Sequence, residues 1–304
     1  MSVRITLLAL VLLFCASAGA QVPIHRFTSN AAWNVNSWVL ESDSGLVLID
    51  GQMLRGDATR LAGFLASFEK PLAAVVITHP HPDHFLGLSV LRDRFGKFPI
   101  YATEQTAAGL LTARDMYMSW APASYGDEVI SELVDIDNTF TGELTIEAAG
   151  FTLNAYDFGM GEGAGHAVVY HSESKSLFTG DVVMAHSHHY VGEGRSALMI
   201  KQLQRLKSDF PHTNLIYAGH GDPVRLTMVD DHIAYITFVR EQAAKLLSDP
   251  TNVVDDALTP EAQQAFAANV IARYPSLTDY GLPTTMLMGM NLGGLVKELA
   301  AEKP

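Results

Sequence analysis

A short histidine-rich segment directly after a buried strand constrains this chain more than any other feature of its sequence. Residues 72–77 form a continuous apolar run, which is typical of a strand covered on both faces. Four ligand-type side chains then follow within six residues, and these are His79, His81, Asp83 and His84. Packed against an apolar strand, such a group would be costly without a cation to neutralise it. The segment therefore predicts a metal centre at the end of a strand.

The rest of the chain alternates short apolar runs with segments of helical period, which indicates an α/β fold. Strands are predicted at 46–49, 72–77, 143–157, 166–171, 176–180 and 215–217. Amphipathic helices are predicted at 56–69 and around 199–210, and residues 101–140 are interpreted as an irregular helical insertion. From about residue 228 onward the pattern is helical, with Thr259 as an N-cap before Pro260.

The N-terminal residues 1–20 have the pattern of an export signal. A positively charged start precedes an apolar stretch at 7–16, and small residues follow at Ala18 and Ala20. The stretch has about ten residues, fewer than the ~20 that a membrane-spanning helix needs. We therefore expect cleavage after Ala20 and a periplasmic or secreted protein without stable membrane insertion. An uncleaved anchor and lipidation at Cys15 are the alternatives.

Composition limits the classes of function. The 304 residues include 33 Asp or Glu against 20 Lys or Arg, a formal charge of −13, so no nucleic-acid partner is expected. The single cysteine lies in the predicted signal, so the mature chain has no disulfide and no thiolate ligand. The expected organisation is a signal peptide at 1–20, a main domain at 21–228 and a helical extension at 229–304 that packs on it.

Further ligand candidates also follow predicted strands, where α/β proteins place their sites. In a hairpin formed by residues 166–181, His166 is directly opposite Asp181, with Cβ atoms ~5 Å apart. His220 stands between two glycines, which allow the backbone to approach a ligand closely. Asp50 ends the strand at 46–49, where it could orient ligands from behind.

Taken in order, the motifs His-x-His-x-Asp-His, Gly-x-Gly-His, Thr-Gly-Asp and Ala-Gly-His-Gly resemble those of the metallo-β-lactamase-fold hydrolase superfamily. The glyoxalase II and lactonase-like branch is the most similar, and the resemblance covers roughly residues 25–225. It implies an αββα sandwich with the site at the edge between two sheets. It also implies one metal site at His79, His81 and His166, a second at Asp83, His84 and His220, a bridging Asp181 and a supporting Asp50.

The activity implied by this resemblance is hydrolysis by a metal-dependent enzyme, which the signal pattern of residues 1–20 predicts to be exported. The cofactor would be two Zn²⁺ ions, although nitrogen and carboxylate ligands also suit iron or manganese. A hydroxide bridging the ions, oriented by Asp83 as the catalytic residue, would attack the carbonyl of a lactone, ester or thioester. The partner is then a small-molecule acyl substrate. Candidates to line its pocket are His188, His189, Tyr190, Met118 and Trp120.

Two other activities of the same superfamily remain as alternatives. A metallo-β-lactamase is favoured by export, although Asp181 stands where one main group of those enzymes uses cysteine. A mononuclear iron sulfur dioxygenase would use His79, His166 and Asp181, and it would leave the other ligand-type side chains without a metal. A non-enzymatic binding module is disfavoured by the complete set of ligand candidates.

Overall fold

The computed structural model describes residues 22–254 and 257–302, so the predicted signal peptide at 1–20 lies outside the described residues. Within these ranges the chain forms two stacked β-sheets with helices on both outer faces. The predicted αββα sandwich with C-terminal helices is confirmed. None of the described helices is both long enough and apolar enough to cross a membrane.

The first sheet is built from the N-terminal part of the chain and has its strands in sequence order. They are β1 (Ile24–Thr28), β2 (Asn36–Ser42), β3 (Gly45–Ile49), β4 (Leu72–Val76), β5 (Ile100–Thr103) and β6 (Asn138–Phe140). The first three strands pair antiparallel, and β3 to β6 are parallel. The parallel strands end at the same edge of the sheet, so the residues after β3 and β4 meet there.

The second sheet follows in the chain and has the strand order β11-β10-β9-β8-β7. Its strands are β7 (Glu143–Ala148), β8 (Phe151–Asp157), β9 (Ala167–His171), β10 (Ser176–Met184) and β11 (Leu215–His220). The β9–β10 hairpin has the predicted register, with Ser176 opposite His171 and Phe178 opposite Val169. Beyond Phe178 the register of β10 against the parallel strand β11 shifts at Gly180, whose φ is +48°.

Helices cover the outer faces of both sheets. Those from the first half of the chain are α1 (Arg55–Ala66), α2 (Pro82–Phe85), α3 (Leu88–Phe95), α4 (Glu104–Met118) and α5 (Ala121–Tyr125), with a 3-10 turn at Gly126–Glu128. Those from the second half are α6 (Ser196–Asp209), α7 (Met228–Ser248), α8 (Pro260–Arg273) and α9 (Thr284–Ala301), with a 3-10 turn at Pro250–Asn252. Thr259 caps α8 as predicted, since its side chain accepts a hydrogen bond from the Ala262 backbone N–H.

Burial on both faces explains why the strands of the first sheet read as continuous apolar runs. In β3, Val47 and Ile49 pack between the two sheets, whereas Leu46 and Leu48 pack against the outer helices. Each Leu or Ile side chain buried in this way contributes about 1.5–3 kcal/mol to folding. These packed strands give the residues at their ends a fixed position.

Residues 101–140 and the C-terminal part differ from the sequence interpretation in one respect each. The predicted insertion begins and ends in β5 and β6, which are integral strands of the first sheet, and only its middle is helical. The C-terminal part is helical as predicted, but it also contains a small hairpin of β12 (Val253–Val254) and β13 (Ala257–Leu258). Short strands of this kind carry too little pattern to be detected in a sequence.

Candidate metal centre

Ligand-type side chains from several strand ends converge at one edge between the two sheets. They form two clusters, in each of which one ligand atom per residue lies within 4.8 Å of the others. The first cluster consists of His79, His81, Glu162 and Asp181, and the second of Asp83, His84 and His220. The histidine-rich segment contributes to both because it follows β4 and enters α2, where Pro82 takes the first helical position.

The first cluster is centred on the carboxylate of Glu162. Its Oε2 lies 3.1 Å from Nε2 of His79, and its Oε1 lies 2.8 Å from Nδ1 of His81. Glu162 is only 1% exposed. Although burial opposes protonation of His81, this carboxylate outweighs burial and raises the pKa of His81 to about 10. A positive charge is therefore strongly favoured between these groups.

The second cluster lies beside the first and meets it at Asp181. Oδ2 of Asp83 is 3.4 Å from Nε2 of both His84 and His220. Oδ2 of Asp181 is 3.2 Å from Nε2 of His220, 3.6 Å from Nε2 of His84 and 3.9 Å from Nε2 of His79. Asp181 thus lies between the clusters, in the bridging position expected from the resemblance.

The structure differs from the sequence expectation at His166, which belongs to neither cluster. Its Nε2 lies 2.9 Å from the Thr179 carbonyl oxygen, and its ring stacks on His79 with 4.7 Å between centroids. The register shift at Gly180 is the cause, because it carries Asp181 away from the hairpin ladder and toward β11. The structure therefore places Glu162, four residues earlier, in the first cluster, while His166 packs beside His79 with a buried Nδ1 that has no partner among the described residues.

Glu162 was missed by sequence reasoning, although a signal for it exists. It lies between Gly161 and Gly163, in the same way that His220 lies between Gly219 and Gly221. In both cases the glycine before the ligand has no room for a side chain. A methyl group at Gly161 would overlap the Gln202 amide, and one at Gly219 would overlap Oδ1 of Asp181.

Asp50 supports the clusters from behind, at the location expected for it. Its Oδ2 accepts hydrogen bonds from Nδ1 of His84 at 2.8 Å and from the Thr78 hydroxyl at 2.7 Å. Its Oδ1 accepts one from the Thr78 backbone N–H at 2.8 Å. Because the Thr78 hydroxyl donates to Asp50, it accepts from Nδ1 of His79, 3.0 Å away. One carboxylate therefore orients two histidines, as outer-shell groups do at metal sites.

These hydrogen bonds determine which nitrogen of each histidine faces the clusters. Nδ1 carries the proton in His79 and His84, and also in His220, where it donates to the Trp33 carbonyl oxygen at 2.8 Å. Each Nε2 then presents a lone pair toward carboxylate oxygens, which are themselves acceptors.

Acceptors that face each other in a buried site require a cation between them. Nε2 of His79, Nε2 of His84, Oε2 of Glu162 and Oδ1 of Asp181 are buried, and each lacks a hydrogen-bond partner among the described residues. Such orphaned polar groups cost about 1–3 kcal/mol each unless something pairs with them. The residues present therefore fit a pair of divalent cations, and nitrogen and oxygen donors without sulfur suit zinc, iron or manganese.

The five side chains proposed from the sequence as pocket lining divide into two groups. Tyr190 lies at the cluster, with its ring 5.8 Å from that of His81, and Trp120 is 37% exposed and stacks on Trp33 at 6.0 Å. Met118 instead packs against the apolar cluster beneath the helices of the first sheet.

His188 and His189 are also placed differently from the expectation. Both are buried, at 2% and 0% exposure, and pack against helix α7. Nδ1 of His188 lies 3.1 Å from the Tyr235 hydroxyl, and the His189 ring lies 4.4 Å from that of His232. They belong to the core between the second sheet and the C-terminal helices, so they do not line the cleft.

The cationic side chain nearest to the clusters among the described contacts is already paired. Arg195 donates from Nη2 to Glu193 at 2.8 Å and from Nε to the Gly161 carbonyl oxygen at 2.9 Å. Glu193 in turn lies 3.8 Å from Nε2 of His81. Arg195 therefore holds the loop that carries Glu162, and its positive charge is offset by Glu193.

Comparisons with known proteins identify the family of this chain. Residues 31–220 match the family model of the metallo-beta-lactamase superfamily. A probable metallo-hydrolase of Streptococcus pyogenes is 26% identical over 202 residues, which cover 64% of this chain and 82% of that protein. A hydroxyacylglutathione hydrolase of Bdellovibrio bacteriovorus is 31% identical over 165 residues, covering 54% of this chain and 55% of the relative. The match therefore spans about half of that enzyme.

Solved structures with the same fold include two with different named activities. The metallo-beta-lactamase from Pontibacter korlensis superposes with a TM-score of 0.56 at 21% identity, covering 72% of this chain and 95% of that one. A double mutant of the sec-alkyl sulfatase PisA1 superposes with a TM-score of 0.64 at 19% identity, covering 88% of this chain and 48% of that one. Likeness at this level of identity establishes the fold alone.

Proposed function

Because the chain belongs to the metallo-beta-lactamase superfamily and is a metal-dependent hydrolase, we propose that its substrate is a lactone, ester or thioester. The centre would hold two divalent cations, with zinc as the proposed metal. The observation that carries this proposal is the position of Asp181 between two complete clusters of ligand atoms. A single-cation site would leave Asp83, His84 and His220 as a buried, uncompensated group.

The ligand set that we propose contains one change from the set implied by sequence. His79, His81 and Glu162 would hold one cation, the second cluster would hold the other, and Asp181 would contact both. When bound, the two cations would supply an activated water and polarise the scissile carbonyl group.

Asp83 is the proposed catalytic residue among the cluster side chains. Its Oδ2 faces His84 and His220, and its other oxygen receives no hydrogen bond from a described residue. That second oxygen is free to accept a hydrogen bond from the attacking water. A water held in this way approaches the carbonyl carbon in one orientation. Holding it there lowers the entropic cost of bringing water and substrate together.

The walls of the cleft favour a neutral substrate with an apolar part. Trp33, whose carbonyl oxygen accepts from His220, stacks on Trp120, and Tyr190 borders His81. An aromatic ring packed against such side chains contributes about 0.5–1.5 kcal/mol beyond its buried area. Glu193 offsets the charge of Arg195 beside the Glu162 loop, which makes this side chain a weaker partner for a substrate carboxylate.

We further propose that the protein acts outside the cytoplasm, in the periplasm or after secretion. The support for this is the signal pattern of residues 1–20. A mature chain without cysteine also suits an oxidising compartment.

The proposed function is tested by combining metal analysis with a substrate panel. Purified protein loaded with zinc should contain two ions per chain by elemental analysis. It should hydrolyse at least one compound from a panel of lactones, aryl esters and thioesters. Penicillins, carbapenems and a secondary alkyl sulfate serve as the competing arms, because proteins of this fold act on them. Faster turnover of any competing class than of every carbonyl ester tried, or a single bound iron per chain, would overturn the proposal.

A further inference from the structure

The C-terminal extension places one tyrosine against the metal centre, and the function proposed above does not use it. Tyr280 lies in the segment between α8 and α9, far from every motif in the sequence. We propose that Tyr280 is a further catalytic residue whose phenol donates a hydrogen bond to the substrate oxygen that gains negative charge during hydrolysis. This inference rests on the proposed function, because it assigns a role at the same site.

The position of the ring supports this role. Tyr280 is 7% exposed, and its ring lies 4.9 Å from that of His220 with an interplanar angle of 39°. Burial and then the carboxylates of Asp181, Glu162 and Asp83 raise the pKa of Tyr280. These carboxylates come from both clusters, and the ring lies against His220, so Tyr280 is a neighbour of the metal centre.

The backbone around Tyr280 is fixed by contacts with two other parts of the protein. The Thr278 N–H donates to the His186 carbonyl oxygen at 3.0 Å, and the Thr278 carbonyl oxygen accepts from the His188 N–H at 2.8 Å. The Thr284 hydroxyl donates to Asp279 at 2.6 Å and closes the turn. The turn is therefore held against the loop that follows β10, close to the ligands.

The backbone of Tyr280 is itself strained. Its φ is +41°, in the left-handed region that non-glycine residues rarely adopt. Gly281 follows with a φ of +88° and approaches Trp33, whose carbonyl oxygen binds His220. A strained, buried tyrosine whose ring lies against His220 is a costly arrangement for packing alone, so a role in the reaction explains it better.

A hydrogen-bond donor also complements the side chains of the two clusters. The cluster side chains present lone pairs, and Arg195 is already bound to Glu193 and Gly161. The Tyr280 hydroxyl makes no hydrogen bond to another described residue, so its proton is free for a ligand. Donors aimed at an oxygen that becomes negative are among the strongest contributors to catalysis in a water-poor site.

The test compares Tyr280→Phe with wild type on the best substrate of the panel. Phenylalanine keeps the ring against His220 and removes only the hydroxyl. We expect kcat to fall about 10- to 100-fold with KM changed less than about 3-fold, because the hydrogen bond strengthens only in the transition state. The metal content should stay at the wild-type value. Tyr235→Phe is the matched control, since Tyr235 is a buried tyrosine of the same extension that contacts His188.

A binding measurement provides a readout that does not depend on turnover. Affinity for an aryl methylphosphonate, a charged mimic of the tetrahedral intermediate, is measured by calorimetry beside affinity for the corresponding neutral amide. Tyr280→Phe should weaken binding of the phosphonate about 10-fold and leave binding of the amide unchanged. Equal loss for both compounds, or no loss for either, would overturn the proposal.

The remaining outcomes separate this proposal from the one on which it rests. If wild type hydrolyses no carbonyl compound, the proposed function fails, and the phosphonate comparison loses its basis with it. If wild type is active and Tyr280→Phe keeps more than half of that activity, only the role of Tyr280 fails. Should Tyr280→Phe not fold, Gly281→Ala tests the same point. Its strained backbone moves Tyr280, so full activity in that variant would also refute the role.

Discussion

Replacing Glu162 by glutamine tests the difference between the ligand set implied by sequence and the one that the structure brings together. The change keeps the size of the side chain and substitutes an amide for a carboxylate. In wild type that carboxylate lies 3.1 Å from His79 and 2.8 Å from His81. The variant removes one of the negative charges that make a cation favourable in the first cluster and leaves the second cluster untouched.

The expected loss of metal affinity can be estimated from the effect of removing residues that do not bind the metal directly. Removing a partner that only orients a ligand costs about 10- to 100-fold in metal affinity. Glu162 is a direct ligand in this proposal, so its loss should cost at least about 100-fold, or about 2.7 kcal/mol. Affinity at Asp83, His84 and His220 should change less than about 10-fold, since these residues keep all of their contacts.

The assay is a two-step titration of chelated protein with zinc, followed by calorimetry and checked by elemental analysis. Wild type should show two binding events, and Glu162→Gln should weaken one of them. His166→Gln is the first control, because its Nε2 is engaged with the Thr179 carbonyl oxygen and not with the cluster. Glu193→Gln is the second control, because the Glu193 carboxylate lies 3.8 Å from His81 but belongs to neither cluster.

The opposite pattern would refute this reasoning. If Glu162→Gln binds both ions as wild type does and His166→Gln loses one, then His166 is the ligand, as the sequence resemblance implied. Thermal unfolding of all variants distinguishes loss of a ligand from loss of the fold. Equal loss in both variants without a change in melting temperature would also contradict the assignment of Glu162 alone.

Four further outcomes are expected. Gly219→Ala should lower kcat at least about 10-fold in a folded protein, because the new methyl group displaces the Asp181 carboxylate; activity within 2-fold of wild type would contradict this. Mass spectrometry of exported protein should find Gln21 at the N-terminus after cleavage behind Ala20, whereas an intact Met1 in the membrane fraction would indicate an anchor. Burial lowers the pKa of His232 to about 4, so below pH 6.5 the unfolded chain binds a proton that the folded protein does not. The free energy of unfolding should therefore fall between pH 6.5 and 4, by about 3 kcal/mol from this residue, and His232→Gln should flatten that slope in thermal melts. Hydrolysis of lactones or aryl esters should exceed that of penicillins at least ~10-fold in kcat/KM, about 1.4 kcal/mol, and the reverse order would favour the β-lactamase alternative.

The parts of the site that follow strands of the first sheet could be predicted from sequence. Asp50 and the histidine-rich segment come directly after apolar runs, and parallel strands bring such ends together. Near these strand ends, Asp50 accepts a hydrogen bond from His84, and the Thr78 hydroxyl accepts one from its chain neighbour His79. Here a local pattern and the tertiary arrangement agree.

The parts that depend on a change of register could not be predicted in this way. A regular hairpin would have continued to place His166 opposite Asp181, and the ladder does follow that register as far as Phe178. The bulge at Gly180 then changes which residues meet, and its cause is the pairing of β10 with β11 on the other side. Such a shift depends on a strand more than 30 residues away, so the hairpin sequence alone does not contain it.

The C-terminal extension shows a second limit of sequence reasoning. His188 and His189 follow Asp181 in the chain and for that reason were expected in the cleft, but helix α7 covers them. Tyr280 is nearly 100 residues from Asp181 and yet lies against His220, because the turn that carries it is bonded to the loop after β10. Both outcomes follow from how the extension packs on the second sheet, and helical periodicity gives no information about that packing.

The presence of Glu162 instead of His166 in the first cluster also bears on which substrates the centre accepts. Two divalent cations bring four positive charges, and the carboxylates of Asp83, Glu162 and Asp181 cancel three of them. The set implied by sequence has two carboxylates and would leave the centre more positive. A less positive centre attracts anionic substrates less strongly at short range, where the effective dielectric constant is low. Since Glu193 also offsets the charge of Arg195, the centre and its surroundings attract a substrate carboxylate less strongly than the ligand set implied by sequence would. A β-lactam antibiotic carries such a group, whereas a lactone or simple ester does not, and this difference favours the neutral carbonyl compounds.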